Sequence, residues 1–174
     1  RLLLRAGRVR EAAEEFARAR DLRPQNFWPN FYEGLCALRL KDYPAAAAAF
    51  QTCKALAPES APCFYNSGVA REALGRSDLA WNDYSRALEY DPDLAPARLN
   101  RGLLAYRTDR LAEAAADLDH AARVHPDRET LGKIRYALAL TKRAQGDAAA
   151  ARSEAEAALR LGVAEARTLL DPSR

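Results

Sequence analysis

Two histidines, three cysteines and a few close carboxylates are the side chains here with the most chemistry to offer. His120 and His125 stand five residues apart. Two ligands on one helix face need a spacing of three or four, so a shared metal ion is not expected. His125, beside Pro126, reads as the end of a helix. Cys36, Cys53 and Cys63 are odd in number and form no C-x-x-C, which predicts neither a disulfide framework nor a zinc site. A reducing compartment is the default for such a set. None of the three has the basic or histidine surroundings of a nucleophile, and Cys53 reads as a small buried apolar side chain. The close carboxylates Glu14–Glu15 and Asp117–Asp119 read as solvated helix faces. Neither phosphate-loop motif, G-x-x-x-x-G-K-S/T or G-x-G-x-x-G, is present. The sequence therefore predicts no enzyme, no cofactor and no metal.

Composition narrows the class further. The chain has 174 residues, 49% of them hydrophobic, enough to bury a substantial core. No apolar run approaches the length that crosses a bilayer, so no membrane partner is expected. The 27 basic and 24 acidic residues leave a net charge of only +3, a weak pull toward acidic partners. There is no methionine and the first residue is Arg1. Together with the repeat phase below, this reads as a piece of a longer protein, which leaves room for a signal peptide or another domain before residue 1. A cytoplasmic location is the expectation.

The elements that must position these residues recur with one period. Pro24, Pro58, Pro92 and Pro126 are each 34 residues apart. The same step links Ala12, Ala46, Ala80 and Ala114; Phe16, Phe50, Tyr84 and Leu118; Ala19, Cys53, Ala87 and Ala121; and Gly34, Gly68 and Gly102. Five columns sharing one step identify a repeated unit. Within a unit, Ala12, Phe16 and Ala19 have the i, i+4, i+7 spacing of one helix face. Glycine in a helix interior costs about 1 kcal/mol against alanine. Its recurrence at 34, 68 and 102 predicts a helix crossing too tight for a side chain. The periodicity predicts first helices over 27–40, 61–74, 95–108 and 129–144. It predicts second helices over 8–21, 42–56, 77–90, 110–124 and 147–161. Pro44, Pro62 and Pro96 fall in first turns, where proline is tolerated, with Asp42 and Ser60 as N-caps before two of them.

The fifth unit departs from the rule. Gly146 follows Asp109 by 37 residues, three more than the period. The insertion lengthens the first helix and leaves either Tyr136 or Ala139 in the glycine column. Residues 163–170 read as a short capping helix that ends at Asp171–Pro172. Asn30, Glu33, Arg98 and Arg101 stand where bulkier apolar residues are expected, and the long arginine stems read as a change in packing between repeats.

A 34-residue period with A-x-x-x-F and a later proline resembles the tetratricopeptide repeat, over roughly residues 1–162. The resemblance implies an all-α fold: a right-handed α-α superhelix, or solenoid, of about five helix pairs with a short C-terminal capping helix. The units are 1–24 (a first repeat represented mainly by its second helix), 27–58, 61–92, 95–126, an atypical 129–162, and a cap with tail at 163–174. In this family the first helices line a concave groove. By helical phase the candidate peptide-binding residues are then Trp28, Phe31, Leu35, Leu38 and Arg39; Tyr65, Asn66, Val69 and Glu72; Leu99, Asn100, Leu103, Tyr106 and Arg107; and Lys133, Tyr136, Leu140 and Arg143. Aromatic and arginine side chains suit an interface, here for an extended or helical peptide with apolar anchors and some acidic groups. Phe31, Tyr65 and Tyr106 have packing between adjacent repeats as their other reading. Asn66 and Asn100 share a column that contributes to a carboxylate clamp in some family members. The neighbouring columns here hold Phe31, Leu35 and Leu99, so that clamp is incomplete and binding of chaperone C-terminal tails is not expected.

The function implied is a non-catalytic scaffold with a protein or peptide partner. The segments FWPNFYEGLCALRLKDY and APCFYNSG, and a composition rich in arginine and alanine with four lysines, are also similar to arrays appended to bacterial multidomain enzymes such as Ser/Thr protein kinases. There the array would recruit substrates or regulate its neighbour. RNA binding is a further alternative, disfavoured because acidic residues interrupt any basic track. Self-association through an open apolar end is the remaining partner expectation.

Overall fold

Each turn inside a helix pair ends on a residue that only a few side chains tolerate. Gly7, Lys41, Gly75, Asp109 and Gly146 all have φ between 60° and 83°, in the left-handed region. The residue after each of the last four donates its N–H to a carbonyl five positions back, as Asp42 does to Ala37 at 2.9 Å and Arg110 to Ala105 at 2.8 Å. This ends one helix and starts its antiparallel partner within a few residues.

A computed structural model describes residues 2–124 and 127–170. It divides into two units, 1–92 and 93–174. In the first, α1 (Leu2–Arg5) and α2 (Val9–Leu22) are followed by the pairs α3 (Phe27–Arg39) with α4 (Tyr43–Leu56) and α5 (Ala61–Ala73) with α6 (Ser77–Tyr90). In the second, α7 (Ala95–Arg107) pairs with α8 (Leu111–Arg123) and α9 (Arg128–Ala144) with α10 (Ala148–Arg160), and a short 3-10 helix follows at Ala164–Leu169. The fold is the all-α, solenoid class of stacked helix pairs. Asp42 caps α4 by accepting from the Ala45 N–H at 3.1 Å. Ser60 stands at the N-cap of α5 but makes no capping bond. Asp127 and Asp147 cap α9 and α10.

The glycine columns pack as their recurrence requires. A methyl group added to Gly34 would lie 2.7 Å from Phe50, one on Gly68 2.6 Å from Tyr84, and one on Gly102 2.8 Å from Leu118. The small residue of each first helix thus receives the large residue of its own second helix. In unit 1 this pairing joins a core of Ala46, Phe50, Cys53 and Cys63. In unit 2 the equivalent core holds Leu118, Ile134 and Leu138.

In the fifth repeat the glycine column is taken by Ala139, not Tyr136. Ala139 is fully buried with Ala155, Ala158 and Ala166, while Tyr136 is only half-buried. An alanine pair there replaces the glycine–aromatic pair. A single 37-residue step then carries Gly102 to Ala139, Leu118 to Ala155, and Asp109 to Gly146. The end of α9 keeps the register, so its extra length, 17 residues against 13 in α7, is one added turn at the N-terminus. A methyl group added to Gly132 in that region would lie 2.9 Å from Val163. The segment read as a capping helix is the 3-10 helix Ala164–Leu169. Asp171–Pro172, His125 and Pro126 lie outside the described residues.

The carboxylate pair Asp117–Asp119 was expected on a solvated face, and for Asp117 the structure differs. Asp117 is 4% exposed. It accepts two bonds from Arg101, both at 2.7 Å, and lies 3.4 Å from Arg98. Arginines 98 and 101 therefore tie a first helix to its own second helix, where the sequence suggested packing between repeats. Arg135 and Glu154 make the same tie at 3.0 Å, one 37-residue step further on. In unit 1, Asp83 holds that column. It accepts from Lys54 at 2.9 Å, Arg71 at 2.8 Å and Ser67 at 2.6 Å. Burial pulls the Lys54 ammonium below its ordinary pKa, and Asp83 opposes the shift.

Candidate functional site

Gly102 lets α7 settle on α8, and the Arg98 and Arg101 ties to Asp117 fix its rotation. Arg135 fixes α9 on α10 in the same way. What these ties leave on the opposite side of α7 is Leu99, Asn100 and Leu103; on α9 it is Lys133, Tyr136, Ala137 and Leu140. The turn after α10, Leu161–Val163, and Glu165 form a wall beside the added turn of α9, which contributes Arg128 and Glu129. Together they enclose an open cavity of about 840 Å³, predominantly apolar in lining. That volume lies within the range of ligand sites, and Asn100 and Tyr136 supply the few polar groups such sites use for orientation.

The charged rim near the wall satisfies itself. Lys133 donates to Glu129 at 2.5 Å, and that hydrogen bond raises the Lys133 pKa. Arg128 donates to the carbonyl of Arg160 at 3.2 Å. The Asp127 carboxyl is held below its ordinary value chiefly by the Thr130 hydroxyl, and then by the Thr130 N–H.

Of the residues singled out by sequence, Leu99, Asn100, Leu103, Lys133, Tyr136 and Leu140 are brought into this one cavity. Tyr106 and Arg107 close α7, and Arg143 lies in the last turn of α9. By helical phase these three lie about one turn beyond the lining. The unit 1 candidates are engaged differently. Phe31 lies 5.5 Å from Phe27 and 5.9 Å from Phe50, and Leu35 and Leu38 pack against the same core. Trp28 remains 53% exposed while stacking on Tyr32 at 5.9 Å. Arg39 donates to the Leu4 carbonyl at 3.1 Å. Tyr65 lies 6.2 Å from Tyr84, Asn66 donates back to Pro62 at 2.7 Å, and Val69 is half-buried. Glu72 accepts from the Tyr84 hydroxyl at 2.6 Å.

Sequence reasoning missed Arg128, Glu129, Ala137, Leu161–Val163 and Glu165. The signal was present in the 37-residue step from Asp109 to Gly146, which places an added turn before Ala139. The three cysteines are buried. Burial raises the Cys36 thiol, and a hydrogen bond with Cys63 together with burial raises that of Cys53. His120 lies 3.4 Å from Asp93 at the surface. Among the described residues no helix is long and apolar enough to cross a membrane.

Two family models, both described as tetratricopeptide repeat, match residues 1–61 and 75–139. Small glutamine-rich tetratricopeptide repeat-containing protein 2 of Mycosarcoma maydis is 30% identical over 120 residues. That match takes in 69% of this chain and about a third, 32%, of the relative's length. Among solved structures, MamA superposes with a TM-score of 0.84 at 16% identity, over 95% of each chain. YrrB, described as a TPR protein with an unusual peptide-binding site, gives 0.78 at 18%, over 97% of this chain and 84% of its own. MamA of Desulfovibrio magneticus RS-1 gives 0.82 at 20%, over 91% and 88%. At these identities the structures speak to the fold.

Proposed function

The chain belongs to the tetratricopeptide-repeat family, and from that premise we propose that it is a non-catalytic interaction scaffold whose unit 2 cavity seats a peptide segment of a protein partner. The family builds protein-interaction scaffolds from stacked helix pairs. The observation that carries the finer reading is the cavity of about 840 Å³ between α7 and α9, apolar in lining with Asn100 and Tyr136 at hand. Leu99, Tyr136, Leu103 and Leu140 occupy matching columns of consecutive first helices, so they face one space. Burying one leucine-sized side chain there contributes about 1.5–3 kcal/mol. A fold relative with a peptide-binding site makes a peptide the occupant to test first.

The test is selection of a phage-displayed random dodecapeptide library on the full chain and, in parallel, on Leu103→Asp. Leu103 is half-buried at the cavity, and circular dichroism checks that the variant keeps its helices. Selection should converge on peptides with a large apolar residue for the parent and fail for the variant. Convergence on the same peptides for both would move recognition out of the cavity.

A further inference from the structure

We propose that Cys53 and Cys63 form a modification site, a dithiol that hydrogen peroxide oxidises to a disulfide joining α4 to α5. The proposal is independent of the cavity in unit 2. Cys53 stands in the last turn of α4 and Cys63 in the first turn of α5. Both are fully buried in one core, and their thiols share a hydrogen bond. One period away, the Cys53 column holds Ala19 and Ala87, and the Cys63 column holds Pro29 and Ala97. Ala87 and Ala97 are fully buried too. Alanine therefore meets the packing need of both columns, and sulfur adds chemistry to it.

The two sulfurs are not equivalent. Cys63 has no basic neighbour in sequence, but the fold surrounds it with groups that favour a thiolate. Ser60 makes no capping bond at the start of α5, and its hydroxyl donates to the Cys63 sulfur instead. The Lys54 ammonium, itself bonded to Ser67 and Asp83, acts on that sulfur as well. The bond from Cys53 first, then Ser60 and Lys54, hold the Cys63 thiol below its ordinary pKa against the effect of burial, while Cys53 stays above its own. A thiolate with a protonated thiol against it is the pairing of an attacking and a resolving cysteine. An open hollow of about 430 Å³, lined by Ala57, Pro58, Glu59 and Ser60, lies at the same turn, so Ser60 both lines it and bonds the sulfur. A small oxidant has room to approach there. The Cys63 sulfur attacks one oxygen of the peroxide and the O–O bond breaks. The hydroxide released takes the proton that the Cys63 thiol gave up, forming water. The Cys53 sulfur then attacks the Cys63 sulfenic sulfur and the S–O bond breaks. The Cys53 proton leaves with that hydroxyl as a second water. Together the two sulfurs lose two electrons, and the peroxide is reduced to two waters.

The experiment treats the full chain, first reduced, with hydrogen peroxide, then caps the remaining thiols with N-ethylmaleimide in denaturant. Trypsin cuts after Lys54 and so puts the two cysteines in separate peptides, 42–54 and 55–71. These should be recovered joined, about 2 Da lighter than the two free thiol peptides together, and dithiothreitol should part them. Cys36, buried in a different core, should keep its thiol. Cys53→Ala and Cys63→Ala each place a residue that the column already holds, so both should fold, which circular dichroism checks. Peroxide should leave Cys53→Ala with a sulfenic acid at Cys63, trapped by dimedone, and should leave Cys63→Ala with Cys53 still a thiol. Equal oxidation of Cys53 in Cys63→Ala would overturn the roles and the proposal with them. Bridges to Cys36 at equal yield, or oxidation of Cys63 that dithiothreitol does not reverse in place of joined peptides, would also overturn it. So would recovery of all three thiols both in buffer and in urea below the unfolding midpoint, where local opening is more frequent. The pair would then only fill the core.

Discussion

A methyl group on Gly68 would stand 2.6 Å from Cε1 of Tyr84, and Tyr84 is fully buried with its hydroxyl bonded to Glu72 at 2.6 Å. The ring has nowhere to move without breaking that bond. Gly68→Leu should therefore cost about 3 kcal/mol or more, lowering the melting temperature by about 6 °C or more. A variant that melts like the parent would mean that α5 and α6 are not paired as described. The opposite sign is expected at Lys41, whose φ of 61° is one that side chains bearing a Cβ adopt at a cost of about 1–2 kcal/mol. The equivalent turn positions in three other pairs are Gly7, Gly75 and Gly146. Lys41 is exposed, so Lys41→Gly should raise stability by about 1 kcal/mol, measured as a higher melting temperature.

At the scale of the helix pair, the column Asp83, Asp117 and Glu154 ties α5 to α6, α7 to α8 and α9 to α10 by partly buried ion pairs. Removing one side of such a tie is costly because the other side has already lost its hydration. Asp117→Ala leaves Arg98 and Arg101, 15% and 20% exposed, without that carboxylate, and should cost about 2–3 kcal/mol in chemical denaturation. The double variant Arg101→Met, Asp117→Leu should recover most of it. If the single variant is neutral, the rotation of α7 is fixed by Gly102 and Leu118 alone. The helices and their pairing were legible from 34-residue columns because a tight crossing admits only a narrow choice of residue. The ties were not, since Asp117 beside Asp119 has the pattern of a wet surface, and nothing local shows that the preceding helix brings two arginines over it. The site was half legible. The α7 residues kept the period and were found by helical phase. The wall was not, because the turn added at the start of α9 lies outside the 34-residue columns, as does the chain after α10 that packs beside it.

At the scale of the whole chain, repeats of this kind draw stability from their own packing and from nearest neighbours. The segment after Arg160 belongs to that account as much as any helix. Ala166 is fully buried with Ala139, Ala155 and Ala158, Val163 lies over Gly132 so closely that an added methyl group there would stand 2.9 Å from it, and Leu161–Val163 line the cavity. Ending the chain at Arg160 removes all three at once and opens the alanine core of α9 and α10, which keeps only the partly buried Tyr136 and Leu159 beside it. Hydrogen exchange should then show protection falling in α9 and α10 while α3 to α5 keep theirs, since local opening follows local burial. Selection of peptides should fail as it does for Leu103→Asp, although no residue of α7 has changed. Loss of protection throughout the chain would mean that the units unfold as one. Unchanged peptide selection would mean that the wall only stabilises the last repeat, and that α7 and α9 alone hold the ligand.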